Sequence, residues 1–355
     1  MNKNIYSISN FGTITHFGHF FYALLLPLIY YDIKTEGKFT YNIKIDAGRN
    51  IKILELIFPK RIKKKYIKKS ESISDKINYY NLYLKLLKNE NPNDILLDAF
   101  DIFENNMYER ITKKYSQTEF KKLENEYINR IKTNKQRYQE LYVTNKYIKL
   151  KKIRPYIINF FESKIKISSP QIILIDRPFV NKFNKNIFLN TSGQRRIIYN
   201  HDKLKNKLSK LYKSNFLNIS LDNLNIYNQY NIFRNAKIII AQHGSGLCNL
   251  FFCKKSTLIE IIPEWDDNWF KNYASFCKIK YISINQPRMT KDEWDKFNNM
   301  YSIINENTND LFSNLDNNKN RLDDSPIVTF IKNSGSVNIN DIIDKVEKER
   351  HFYKI

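Results

Sequence analysis

The chain has 355 residues, 42% of them hydrophobic and 14% aromatic, and carries a formal net charge of +23. That length and apolar content predict two domains, each able to bury a core, and exclude a disordered chain or a disulfide scaffold. The charge admits nucleic acid or another anionic surface as partner without choosing one, since no RNA-binding aromatic signature, zinc knuckle or basic-zipper heptad accompanies it.

In chain order, the N-terminal "MNKNIYSISNFG" lacks the continuous apolar core of a signal peptide. "FFYALLLPLIYY" is helix-like, too short to span a bilayer and interrupted by Pro27. A strand-like "KFTYNIKIDAG" follows, then a short helix in "NIKILELIFPKRI" stopped by Pro59. The basic runs "KRIKKKYIKK" and "KLKKIR" read either as solvated faces or as contacts to a phosphate-rich partner. Between them, from about residue 70 to 150, apolar residues recur at helical spacing, as in "TEFKKLENEYINRIKTNKQRYQELY", which predicts a helical insertion. The three cysteines, Cys248, Cys253 and Cys277, have no ligand-like spacing and suit a reducing, cytoplasmic setting.

Beyond Pro170 the pattern changes. Strands are predicted at "QIILID", "SNFLNISL", "KIIIAQ" and "STLIEIIP", with helices from Arg195 to about Leu211 and over Leu224 to Ala236. Such alternation means a parallel α/β sheet. A C-terminal helix, "VNINDIIDKVEKERHFY", is expected to be capped by Asn340 or Asp341.

Two of the eight glycines fall in "AQHGSGLCN", just past a strand. Gly244 and Gly246 would let backbone N–H groups approach an anion at the start of the next helix, with Ser245 adding a hydroxyl and His243 a ring donor. The same residues also describe a tight turn with a buried, hydrogen-bonded histidine. Glu260 lies inside an apolar strand, where a carboxylate needs a partner: ribose hydroxyls or a lysine would each serve. Arg177, after the first strand, and the Arg195–Arg196 pair offer forks suited to a pyrophosphate, or ordinary surface charge.

"FRNAKIIIAQHGSGLCNLFFCKKSTLIEIIP" closely resembles the signature of glycosyltransferase family 61, a family that includes protein O-GlcNAc- and xylosyl-type transferases. Family members carry H-G-A-G-L-T-N-L-L-F between two apolar strands, the second with a central glutamate. Here Ser245 and Cys248 replace the alanine and threonine. "IDR" and "RRIIYNHDKL" are similar to the family's strand-Arg and R-x-I-x-N-E-x-E-L segments, with Arg177, Arg196 and Asn200 on matching positions and His201 where Glu or Gln is usual. "HFGHFFYALLLPLIYY" and "IKIDAGRNIKILELIFP" resemble the family's N-terminal segments. The resemblance implies an α/β, GT-B-like architecture of two Rossmann-like domains facing a cleft. Residues 1–165 would form the acceptor side, with the helical insertion, 166–335 the nucleotide-sugar domain and 336–355 a closing helix. It further implies an inverting hexosyl- or pentosyltransferase moving a sugar, UDP-linked, to a glycan or protein hydroxyl.

Donor contacts would come from Arg177, Arg196, Asn200, His243, Gly244, Ser245, Gly246, Asn249 and Glu260. No Asp-x-Asp occurs, so no metal or other cofactor is expected, and arginines with the glycine turn would stabilise the leaving diphosphate. For the general base, His19 is first and Asp46 second; His19 also reads as a packed core histidine and Asp46 as a turn former. His16 and His19, three apart, have no acidic or cysteine neighbour to complete a metal site. Trp265 and Trp269 would wall the sugar or pack a core. Two other classes remain: a basic nucleic-acid or anionic-surface binder, and a catalytically inactive module of the same fold.

Overall fold

The computed structural model describes residues 1–8, 17–44, 47–64, 94–98, 148–164, 170–177, 196–263, 269–301, 312 and 326–355. The chain divides into two compact units, Met1–Lys164 and Ile165–Ile355.

The first unit holds a four-stranded, wholly parallel sheet of β1 (Asn2–Ile8), β2 (Thr40–Ile43), β3 (Ile62–Lys64) and β4 (Asp94–Asp98), in the order β3-β2-β1-β4. Ile5 sits beside both Ile43 and Ile95 and is fully buried, as the inner strand of a parallel sheet requires. Three strands depart from the expected elements. β1 lies in a stretch whose Asn and Lys content hides it, β3 lies in the basic run after the short helix, and β4 falls inside the region of helical periodicity. A five-residue "DILLD" is the kind of short apolar run that periodicity assigns poorly. The remainder of the predicted insertion lies outside the described residues, apart from its last residues, which open a helix.

After β1, the chain forms α1 (Phe17–Phe20), a π turn (Phe21–Leu25) and α2 (Leu26–Lys34). Pro27 therefore does not break the run. It follows the π turn, whose widened hydrogen-bond spacing, with Leu26 N donating to Phe21 O, accommodates the missing amide. Phe20, Phe21, Leu24, Leu25, Leu28 and Ile29 are all buried, so this apolar segment is core. No helix among the described residues is long and apolar enough to cross a membrane. A short α3 (Ile51–Ile57) precedes β3, and α4 (Ile148–Glu162) packs on α2 through Tyr30 and Tyr156, ring centroids 5.6 Å apart.

At the end of α2 the buried Asp32 takes a two-pronged ion pair from Arg61, at 2.6 and 2.8 Å, and a hydrogen bond from the Tyr41 hydroxyl at 2.5 Å. The helix, β2 and the turn that leads into β3 are thereby tied at one point. Burial, then Asp32, pushes the Tyr41 phenol far above its usual range.

The second unit is a five-stranded parallel sheet in the order β6-β5-β7-β8-β9. Its elements run β5 (Ile172–Asp176), α5 (His201–Tyr212), β6 (Phe216–Ser220), α6 (Ile226–Asn235), β7 (Ile238–Gln242), a 3-10 helix (Ser245–Phe252) and β8 (Thr257–Pro263). There follow α7 (Trp269–Phe276), β9 (Lys280–Gln286), α8 (Lys291–Tyr301), α9 (Pro326–Lys332) and α10 (Ile339–Tyr353). Every residue of β7 and β8 is buried, which is why these strands read as unbroken apolar runs. One face of the sheet, with Ile238, Ile240, Ile259 and Ile261, packs against Leu204 and Leu208 of α5 and Ile342 and Val346 of α10.

Helix boundaries differ from expectation in two places. The first helix starts at His201, six residues after Arg195, because residues 196–198 are not helical and the amides of Ile197 and Tyr199 donate to Ser334 Oγ and Gly335 O. The final helix is capped by Asn338, whose side chain accepts from the amides of Asn340 and Asp341, the residues predicted to cap it. That helix also bonds the amino ends of two strands: Glu349 accepts from Thr257 Oγ1 at 2.7 Å and Lys280 Nζ at 2.5 Å.

Candidate functional site

The strand order of the second unit locates a crevice. From β5 the chain moves outward to β6, then crosses back to β7 on the other side. The connections leaving the carboxyl ends of β5 and β7 therefore diverge, and in doubly wound sheets ligands bind at that divergence. Arg177 is the first residue after β5; His243 and Gly244 are the first after β7.

These residues meet. The Arg177 guanidinium lies so close against Gly244 that a Cβ there would fall 1.4 Å from Nη2 and 2.5 Å from Cζ. Gly244 is extended (φ 162°, ψ 172°), a backbone any residue adopts, so glycine is required here for the approach of arginine and not for its dihedrals. Arg177 is half-buried, and burial pushes its pKa down to about 10, against the pull of Asp222. That value keeps the guanidinium a cation at neutral pH, and among the described residues no hydrogen bond or ion pair holds it where it lies desolvated against the turn.

The turn opens the 3-10 helix Ser245–Phe252, whose N-terminus no side chain caps. The first amides of a helix lack intrahelical acceptors and favour an anion. Ser245 is exposed, and Gly244 and Gly246 are half-exposed, so the turn reaches solvent. Its underside is fixed: buried Asn249 donates to Gly246 O at 3.0 Å and to Gln229 Oε1 at 2.9 Å, and Gln229 donates in turn to Leu221 O and Leu224 O.

His243 is fixed as well. Its amide donates to Ile261 O at 3.0 Å and its carbonyl accepts from Arg196 Nη1 at 2.8 Å. Nδ1 lies 2.8 Å from Glu260 Oε1, and the Phe270 ring stands edge-on 4.9 Å away. Glu260, only 1% exposed, also accepts from the Tyr281 hydroxyl at 2.8 Å on its other oxygen.

The structure thus brings together Arg177, Arg196, His243, Gly244, Ser245, Gly246 and Glu260. Asn200 and Asn249 stand behind them with their amides on backbone or glutamine partners: Asn200 donates to Val337 O and accepts from Val337 N, both at 2.9 Å. His201, at the position where Glu or Gln would be expected from the resemblance, has its Nε2 3.4 Å from Oδ1 of Asp176, the last residue of β5. His19 is in α1, on the chain that leaves β1, and its side chain is outside the described residues; Asp46, Arg195, His16 and Trp265 lie outside them too, as does the side chain of Trp269.

Sequence reasoning missed Tyr281, Asp222 and the glutamine pair beneath the site. Gln242 Nε2 donates to Gln286 Oε1 at 2.5 Å and to Ile197 O at 3.0 Å, and Gln286 Nε2 to Ile197 O and Gly335 O. The signal for that pair was a polar residue closing each of two strands at the carboxyl rim. Among the described residues no group of three or more His, Cys, Asp or Glu side chains gathers into a metal site.

Two wholly parallel α/β sheets, one with an arginine laid on a glycine turn at its switch point, are consistent with a Rossmann-like fold. The family model Glycosyltransferase 61 matches residues 17–259, well over half of the chain, and the protein belongs to that family. It is accordingly a glycosyltransferase enzyme. No curated protein matches the chain.

Proposed function

We propose that this glycosyltransferase is a GT-B-type, inverting enzyme that uses a nucleotide-sugar donor, UDP-linked, and needs no metal. The observation that carries the reading is the desolvated Arg177 guanidinium laid on Gly244 at the switch point of the second sheet. A departing nucleoside diphosphate is a dianion or trianion, and a positioned guanidinium with helix-terminal amides stabilises charge that develops in the transition state. Arg177 contacts the diphosphate; Ser245 and the amides of the turn complete the cradle. Arg196 acts from behind, through the His243 carbonyl. Asn249 holds the cradle's backbone at Gly246 O, while Asn200 holds the backbone of Val337 ahead of the last helix.

The first unit supplies the acceptor side and the base that removes the acceptor proton, His19 before Asp46, since an inverting transfer takes that proton in the step that forms the new bond. The acceptor is a glycan or protein hydroxyl. Three buried, free cysteines suit a reducing, cytoplasmic setting.

A thermal-shift series with UDP, GDP, CMP and their sugar conjugates, with and without EDTA, tests the donor. A ligand bound only by the native state stabilises it by about 2.7 kcal/mol at a hundredfold excess over its dissociation constant. UDP raises the melting temperature equally in EDTA on this reading. Stabilisation that needs a divalent cation contradicts the metal-free clamp. Stereochemistry is read separately, by the anomeric NMR coupling of the first-formed product.

A further inference from the structure

Glu260 was expected to meet either ribose hydroxyls or a lysine. In the structure one of its oxygens lies 2.8 Å from His243 Nδ1 and the other accepts from the Tyr281 hydroxyl at 2.8 Å. We infer that Glu260 and Tyr281 are positioning residues for His243, a chain Tyr281–Glu260–His243 that orients the ring through Nδ1–H so that its imidazolium form presents Nε2–H to the donor's diphosphate. This rests on the donor-site reading above and deepens it.

Three observations carry it. Glu260 is buried, so its partners are a matter of protein geometry and not of solvent. The carboxylate accepts, so Nδ1 carries a proton, and Nε2 is the ring atom with which His243 can serve a ligand. Backbone contacts from two sides, the Ile261 carbonyl and the Arg196 guanidinium, keep the residue in place where it adjoins Gly244. Tyr281 lies in β9, two residues from Ser283, the register partner of Glu260, and its hydroxyl reaches the carboxylate diagonally across the strands.

The groups facing the imidazole set its response to pH. Glu260 approaches from β8, with Tyr281 behind it from β9; Phe270 packs from α7 without charge; Arg196 is at the carbonyl and Arg177 at the next residue. An adjacent carboxylate favours the imidazolium, which carries N–H on both nitrogens and donates to an anion most strongly.

The experiment is isothermal titration, in EDTA and over a pH series, with inorganic pyrophosphate, UDP and 2′-deoxy-UDP. Wild type is compared with Tyr281→Phe, Glu260→Gln, His243→Asn and the Tyr281→Phe/His243→Asn double variant. Glu260→Gln is expected to weaken all three ligands alike, by ~10-fold as for loss of one charge-assisted contact, and to move the alkaline loss of pyrophosphate binding to lower pH. Tyr281→Phe, which removes one hydroxyl and so keeps the fold, is expected to do the same more weakly and to add nothing to His243→Asn. If Glu260→Gln weakens UDP and leaves 2′-deoxy-UDP and pyrophosphate untouched, Glu260 contacts ribose and the inference falls. It also falls if Tyr281→Phe changes neither affinity nor the pH profile. Wild-type protein that binds none of the three overturns the donor-site reading itself.

Discussion

Replacing Gly244 by alanine isolates the contact on which the proposed donor site depends. The new methyl would occupy the place of Arg177 Nη2, 1.4 Å from it, 2.5 Å from Cζ and 3.1 Å from Nη1. The guanidinium must therefore leave. The backbone has no objection, since φ of 162° suits alanine, and the displaced atoms are the far end of a flexible side chain with no hydrogen bond to lose among the described residues. The cost in stability is accordingly small, below about 1 kcal/mol, less than an unrelieved overpacked core would show. Binding is another matter. A hydrogen bond to a charged group contributes about 1.5–3 kcal/mol, which corresponds to ~10- to 150-fold in affinity. Gly244→Ala should thus keep its urea midpoint and lose one to two decades of affinity for UDP by calorimetry. Arg177→Ala should lose as much, and the double variant no more than either alone, because both act through one guanidinium. Wild-type affinity in Gly244→Ala would refute the reasoning. So would a stability loss above ~3 kcal/mol, since it would make this glycine a structural element like any overpacked site.

Other consequences separate the site from the scaffold. Gly246→Ala places a methyl 2.9 Å from Leu221 Cδ1, a side chain that can give way, so it should cost ~1 kcal/mol in denaturant unfolding while nucleotide affinity falls far less than in Gly244→Ala. Gly335→Ala should be much worse, because its Cβ would meet the Pro287 and Arg288 carbonyls at 2.3 and 2.4 Å; loss of soluble protein or a drop of ~3 kcal/mol or more is expected by urea titration. Asp32→Ala leaves Arg61 and Tyr41 without their shared partner and should destabilise the first unit by about 3 kcal/mol, at the lower end for a broken buried pair because Arg61 is partly exposed. The tyrosines give a pH dependence. Burial first, then Asp32 for Tyr41 and Glu347 for Tyr212, raises both phenols above the 10.0 they have when unfolded. A raised folded-state pKa contributes stability that is complete below pH 10 and is lost as pH rises beyond it, so the melting temperature should fall above pH 10 and fall less steeply in Tyr41→Phe.

Much of the second unit was legible in the sequence because its inner strands are buried on both faces: "IILID", "KIIIAQ" and "TLIEIIP" leave little else for β5, β7 and β8 to be. β1 was not legible, since "NKNIYSI" shows a lone central isoleucine among asparagines and lysine, and its place in the sheet is decided by β2 and β4 on either side. β9 alternates exposed and buried residues as an edge strand does, and its Tyr281 went unremarked although its hydroxyl reaches Glu260. In the site, residue types announced the turn: two glycines behind a histidine, in a chain with so few. Spacing could not announce the pairings. A glutamate inside an apolar strand demands a partner without naming it; ribose hydroxyls and a lysine were the expected partners, and His243, just past the end of β7 and two residues beyond Ala241, the register partner of Glu260, was not. Asn200 and Asn249 illustrate the converse, since an amide in a motif says nothing of whether it faces ligand or backbone.

The central claim is a transferase whose donor diphosphate is held by Arg177 against the glycine turn without a metal. Its most direct test is nucleotide release from a panel of nucleotide sugars, followed in EDTA for the wild type and Arg177→Ala. The account predicts release from UDP-sugars that EDTA leaves unchanged and that Arg177→Ala reduces by ~100-fold or more, the range seen on removing one transition-state donor. Turnover that EDTA abolishes, or that Arg177→Ala retains, would contradict it.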